Sequence, residues 1–272
     1  MEIKVSQFSA FLIAPILAIL ANGIVTTGIT AKPISEGYSH AKPNILIIYT
    51  DDQRFSDIDW FVNRSGKRTP AMDALFEKGI WMSQARVTTS MCVPSCYSMH
   101  TGHYASRSLL NPSLHLWRNS LGWAPVENNS VFGGHLIELR GSEATAGRLF
   151  QAAGYRTGFV GKWHLGGIHE IREYTADIKE IMEKEKELVA NFGGFDQVSG
   201  LYMTNPKYQA KTLGLPEEKA VHNPTYLTQN VLNSIRDVAK DPSRAPFFLI
   251  YSPTLVHYPL VSKHDDPRIG PY

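Results

Sequence analysis

The chain has 272 residues, 27 basic against 25 acidic side chains, a formal net charge of +2 and 43% hydrophobic residues. That length suits one large domain or two small ones, and a balanced charge without a basic run excludes a nucleic-acid footprint. Two cysteines, Cys92 and Cys96, exclude a multi-bridge disulfide framework, and two thiols alone make no zinc site.

The chain begins like an export signal. Lys4 lies in a short start, residues 8–25 are almost wholly apolar with breaks at Pro15, Asn22 and Gly23, and small residues follow. Residues 1–31 are expected to be a signal peptide, cleaved after Ala21 or near Ala31, that sends the mature chain to the periplasm or the extracellular space. No stable membrane insertion is then expected. An uncleaved N-terminal membrane anchor is the alternative, because the apolar run is near the lower limit for a span.

After a polar joint at residues 32–42, residues 43–49 read as a strand buried on both faces, being apolar and mostly β-branched without alternation. Asp51 and Asp52 follow at its carboxyl end, where open α/β sheets bind ligands, and paired carboxylates there suit a hard cation. Residues 69–79 predict a helix with Thr69 as cap, Pro70 in the first position and Gly79 as stop. Residues 80–87 predict a strand leading into the stretch from Ser90 to Gly102.

In that stretch Pro94 suits a first helical turn, which places Cys92 at the helix N-terminus. Free amides there favour an anion and lower a thiol's pKa, which is a setting for a nucleophile acting on a negatively charged substrate; two semi-buried packing cysteines are the plain alternative. A disulfide between Cys92 and Cys96 would need backbone geometry unlike a regular helix.

Residues 107–141 have no clear period and read as a long irregular excursion over the active face. Residues 142–153 predict a helix capped by Ser142 and stopped by Gly154, and residues 155–161 a short strand delivering Lys162 and His164. Two residues apart on an extended segment, these side chains point to one side and suit an oxyanion holder and a proton donor. Residues 170–191 predict a highly charged helix with a stripe of Ile171, Tyr174, Ile178, Ile181 and Leu188, packing by one face and carrying no chemistry. A turn at residues 193–196, a helix at 224–240 and a buried strand at 246–252 complete the pattern, with His257 just past the last strand. Strand, polar strand end and helix in repeated order predict an α/β fold with a largely parallel sheet flanked by helices.

Four strand ends thus carry Asp51-Asp52, Cys92, Lys162 with His164, and His257. Together they resemble the sulfatase family of the alkaline-phosphatase-like superfold. The family signature is Cys-x-Pro-Ser-Arg-x-x-Leu-x-Thr-Gly, and Cys92, Pro94, Ser95, Thr101 and Gly102 match it, with Met99 at the leucine. Pro43-Asn44-Ile45, Thr69-Pro70 with Met72-Asp73, Gly154-Tyr155, Gly161 to Gly166 and Gly194-Phe195-Asp196 agree as well, so the likeness runs from about residue 42 to 262.

The resemblance implies a sulfuric ester hydrolase acting on a sulfated small molecule or glycan. A formylglycine-maturation enzyme would oxidise Cys92 to formylglycine, whose hydrated form attacks sulfur and then expels sulfate by collapsing to the aldehyde. It also implies one calcium ion, held by Asp51, Asp52 and residue 92, with Lys162 on the sulfate, Lys162 or His257 helping the alcohol leave, and His164 removing the diol proton. Two departures stand out. Cys96 replaces the signature arginine, and the family's later Asp-Asn pair and later lysine have no counterpart before Tyr272. Residues 42–272 are therefore expected to be an incomplete N-terminal catalytic domain, from a fragment or a truncated paralogue. An inactive remnant, a sulfated-glycan binding protein, and a phosphoryl-transfer enzyme of the same superfold are the competing readings.

Overall fold

The computed structural model describes residues 42–62, 68–108, 137, 139, 141, 143–166, 177–206 and 223–257. Four strands, β1 (Ile45–Ile48), β2 (Arg156–Lys162), β3 (Gln197–Tyr202) and β4 (Phe247–Ser252), form one sheet in the order β1-β4-β2-β3. Every pairing is parallel. Parallel neighbours need crossovers, and among the described residues five α-helices lie between the strands in sequence: α1 (Pro70–Lys78), α2 (Cys92–Thr101), α3 (Ala146–Ala152), α4 (Ile178–Gly193) and α5 (Pro224–Lys240). The α/β fold with a parallel sheet flanked by helices is thus the fold observed.

Alternation along the central strands builds two cores. Phe159, Phe248 and Ile250 face one side and pack with Val93 and Tyr97 of α2, Val189 of α4, Trp163 and Phe195. Val160 and Leu249 face the other side and meet Leu227 and Val231 of α5. The result is a helix–sheet–helix sandwich, with each fully buried Leu, Val or Phe worth roughly 1.5–3 kcal/mol of transfer free energy. Asp196 fastens the entry of β2, accepting from the Thr157 amide at 2.8 Å and from Gln151 Nε2 at 2.6 Å.

Two features of this frame prepare the site. Gly161 interrupts the β2–β3 register with φ +113, and a Cβ there would lie 1.9 Å from the Ser252 carbonyl oxygen, so only glycine lets β2 and β4 approach. Gly102 ends α2 in the left-handed region at φ 70 and donates its amide to the Ser98 carbonyl, as a glycine stop does. Between them, His100 of α2 is buried against the rings of Trp163, Phe159 and Phe195, with centroids 4.8, 5.8 and 6.1 Å away. Burial alone drives its pKa down to about 3, so it is a neutral core residue.

Several local expectations need correction. Residues 80–87 form no strand; a turn joins Met82 to Ala85, and Ile80, Trp81, Met82 and Val87 are exposed, because no neighbouring strand pairs with them among the described residues. Conversely β3 was not anticipated: Ser199 and Gly200 dilute its apolar character, and sheet pairing on one side supplies what propensity lacks. The N-cap of α3 is Thr145, whose hydroxyl accepts from the Arg148 amide, and not Ser142, which lies outside the described residues. Thr69 stands at the N-cap of α1 but directs its hydroxyl to the Asp59 amide and the Asp73 carboxylate instead.

The charged helix is described from Ile178, capped by Asp177, and Ile181 and Val189 bury its stripe; Ile171 and Tyr174 lie outside the described residues. So do residues 1–31 and most of the irregular 107–141 region. Among the described residues no helix is long and apolar enough to cross a membrane.

Candidate active site

The site lies where strand ends meet the start of α2. Residues 49–53 leave β1, Lys162 ends β2, Ser252 ends β4, and with Thr89, Ser90, Cys92, Ser95 and Cys96 they line a cleft of about 210 Å³. Carboxyl ends of parallel strands are where such a fold leaves room for a ligand. Tyr49 and Ser95 hydroxyls meet at 2.5 Å, tying the end of β1 to the first turn of α2.

Lys162 is the buried charge of the site. At 3% exposure its ammonium donates to Asp51 Oδ2 at 2.6 Å and to Asn205 Oδ1 at 2.7 Å. A lysine accepts burial only when such partners replace its water. Asp52 adopts the left-handed region at φ 56, and its Oδ2 lies 3.7 Å from His257 Nε2. Asp51, Asp52 and His257 each bring one ligand atom within 4.8 Å of the others. Two converging carboxylates fit a hard divalent cation, while an imidazole is an uncommon partner for one. Cys92 lines the same cleft but stands outside that three-residue group.

Cys92 is the first residue of α2, as Pro94 implied, and the amides of Val93 and Cys92 do pull its pKa down. Burial nevertheless outweighs them, and the Lys162 charge, so the thiol is pushed up rather than down. The expectation of an acidified thiol is therefore reversed, because the helix end is half-buried. Cys96, one turn later, is buried and pushed up to about 12 by desolvation. Both thiols are free. Neither carries a negative charge at neutral pH, so the carboxylate of Asp51, and not a thiolate, is the partner of Lys162.

His164 sits elsewhere. The strand stops at Lys162 and His164 adopts φ 59, so the alternation that would have placed both side chains on one side is broken, and only Lys162 is among the cleft-lining residues. Sequence reasoning missed Asn205 and Thr254. Asn205, just beyond β3, donates from Nδ2 to the Thr254 carbonyl at 3.0 Å, and Thr254 donates its hydroxyl to Asn223 Oδ1 at 2.9 Å. Burial of an amide beside a lysine would have flagged them, but burial is not visible before β3 is placed.

A parallel sheet covered on both faces, with a lysine, two carboxylates and a helix-borne cysteine at its carboxyl ends, defines a class of α/β protein. The comparisons narrow the class. A family model for Sulfatase matches residues 43–269, and the chain belongs to the sulfatase family. Steryl-sulfatase of Mus musculus is 30% identical over 155 residues, 56% of this chain and 22% of that protein. The uncharacterized sulfatase YidJ of Escherichia coli is 28% identical over 237 residues, 80% of this chain and 39% of that protein. Among solved structures, Ps i-CgsB has a TM-score of 0.51 at 22% identity, covering 83% of this chain and 48% of its own. A Bacteroides thetaiotaomicron protein studied for the metabolism of multiple glycosaminoglycans has a TM-score of 0.52 at 18% identity, covering 81% and 46%. The chain thus spans less than half the length of each of these proteins.

Proposed function

We propose that this chain carries the sulfate-binding and nucleophile-bearing part of an exported sulfuric ester hydrolase acting on a sulfated small molecule or glycan. The observation that supports the reading most strongly is the cleft in which Lys162, Asp51, Asp52 and Cys92 converge from separate elements. Its competing chemistries are weaker: neutral, buried thiols argue against direct thiolate catalysis.

In this reading the Lys162 ammonium binds a sulfate oxygen, and its burial makes that contact stronger than a surface lysine would. Asp51 and Asp52 would hold calcium, which supplies charge neutralisation of the ester. A formylglycine made from Cys92 by a maturation enzyme would supply, as its hydrate, the hydroxyl that attacks sulfur. His257, whose Nε2 lies 3.7 Å from Asp52 Oδ2, would protonate the leaving alcohol. His164 lies outside the cleft-lining residues and takes no step in this reading.

One observation favours a second reading, a non-catalytic binder of sulfated glycans. Cys96 stands at the signature arginine, and a buried neutral thiol offers a weak S–H donor where arginine has a cationic fork. The test is turnover of nitrophenyl sulfate and nitrophenyl phosphate by the chain co-expressed with a maturation enzyme, with and without calcium. Calcium-dependent sulfate release, absent in Asp51→Asn, supports the hydrolase. Binding of nitrophenyl sulfate without turnover supports the binder, and preferred phosphate turnover overturns both.

A further inference from the structure

Lys162 ends β2 with its ammonium inside the protein, and an ammonium has three N–H donors. Asp51 Oδ2 takes one at 2.6 Å and Asn205 Oδ1 takes another at 2.7 Å. Among the described residues no third acceptor meets it, and Lys162 lines the cleft. Two fixed donors therefore determine where the third is aimed.

Asn205 is itself held from the other side. It is 1% exposed, and its Nδ2 donates to the Thr254 carbonyl, three residues before His257. Thr254 is anchored through its hydroxyl to Asn223 at the start of α5, and the next turn of that loop returns to β1 through the Val256 amide on the Asp51 carbonyl at 2.9 Å. One planar amide thus accepts from the β2 end and donates to the β4 loop, and that loop closes on the β1 end. A side-chain amide accepts on its oxygen and donates from its nitrogen at once, and Asn205 does so at 2.7 and 3.0 Å.

We propose that Asn205 is a positioning residue that aims the free N–H of Lys162 at the sulfate group of a bound ester and keeps it in register with the His257 loop. The proposal rests on the sulfate-ester reading above for its ligand, but not for its geometry. A carboxylate at this position would still accept from Lys162 and would repel the Thr254 carbonyl. A leucine would do neither.

The experiment is nuclear magnetic resonance on the full chain with ¹⁵N-labelled lysine, the Lys162 ammonium signal being identified by its loss in Lys162→Met. Asn205→Leu is expected to shift that signal and remove its protection from water exchange, whereas Asn205→Asp retains protection. Titration with nitrophenyl sulfate is expected to bind roughly tenfold more weakly to Asn205→Leu than to the unmutated chain. A folded Asn205→Leu whose Lys162 signal is unchanged overturns the proposal. If that variant does not fold, the unmutated framework still decides: Lys162→Met must shift the Asn205 side-chain amide signals, and unchanged signals overturn the proposal. Loss of Lys162 protection in Asn205→Leu without any binding of nitrophenyl sulfate to the unmutated chain would sink the sulfate reading and support Asn205's hold on Lys162.

Discussion

His100 offers the sharpest numerical consequence of the fold. It lies inside the aromatic cluster of Trp163, Phe159 and Phe195, and burial lowers its pKa from the ordinary 6.5 to about 3. A depressed folded-state pKa means that the unfolded chain binds a proton which the folded chain refuses. Stability from this group is therefore fully present above the unfolded value and is lost as pH falls toward the folded one. Between about pH 7 and about pH 5 the unfolded histidine goes from about a quarter to almost fully protonated, and the integrated linkage costs the fold about 2 kcal/mol.

His100→Leu keeps an apolar side chain of similar bulk in the cluster and removes the titration. Urea unfolding of both proteins across that range should show the native chain losing about 2 kcal/mol more than the variant. In thermal unfolding the difference corresponds to a steeper acid drop of about 4–8 °C. Parallel pH curves, agreeing within about 0.5 kcal/mol, would refute the claim that this histidine is held neutral by burial.

Other perturbations test the frame and the site. Lys162→Met strips the ammonium from Asp51 and Asn205 and should cost on the order of 3 kcal/mol in denaturant unfolding, with partial recovery when Asp51→Asn is added. A loss below about 0.5 kcal/mol would show the ion pair to be unimportant. Gly161→Ala would force a Cβ against the Ser252 carbonyl at a φ of +113, so a loss of roughly 3 kcal/mol or more, or no soluble protein, is expected. Calcium at about a hundredfold excess over its Kd should stabilise the chain by about 2.7 kcal/mol, and Asp52→Asn should remove most of that shift. Equal stabilisation of both proteins would place the ion elsewhere.

Much of the frame was legible because strong local signals agreed with tertiary demands. The apolar runs that became β1 and β4 have no room for another assignment, and Asn223-Pro224 to Lys240 carries its own start and length. Asp51, Cys92 and Lys162 could be placed together because each follows a strand or opens a helix, and strand ends converge in a parallel sheet. What escaped was set by neighbours. β3 owes its existence to pairing with β2, residues 80–87 lacked a partner despite their propensity, and His164 left the expected side when its backbone turned left-handed. The direction of the Cys92 pKa depended on burial outweighing helix amides. Asn205 gave no sequence signal, because its role arises only where three strand ends meet.

The most direct test of the central claim is the mass of the peptide carrying Cys92, taken from the chain co-expressed with a formylglycine-maturation enzyme and assayed in parallel with nitrophenyl sulfate. An aldehyde at position 92 and turnover in proportion to it are expected, with Cys96→Arg raising both. An unmodified thiol and no turnover, in the native chain and in Cys96→Arg alike, would contradict it.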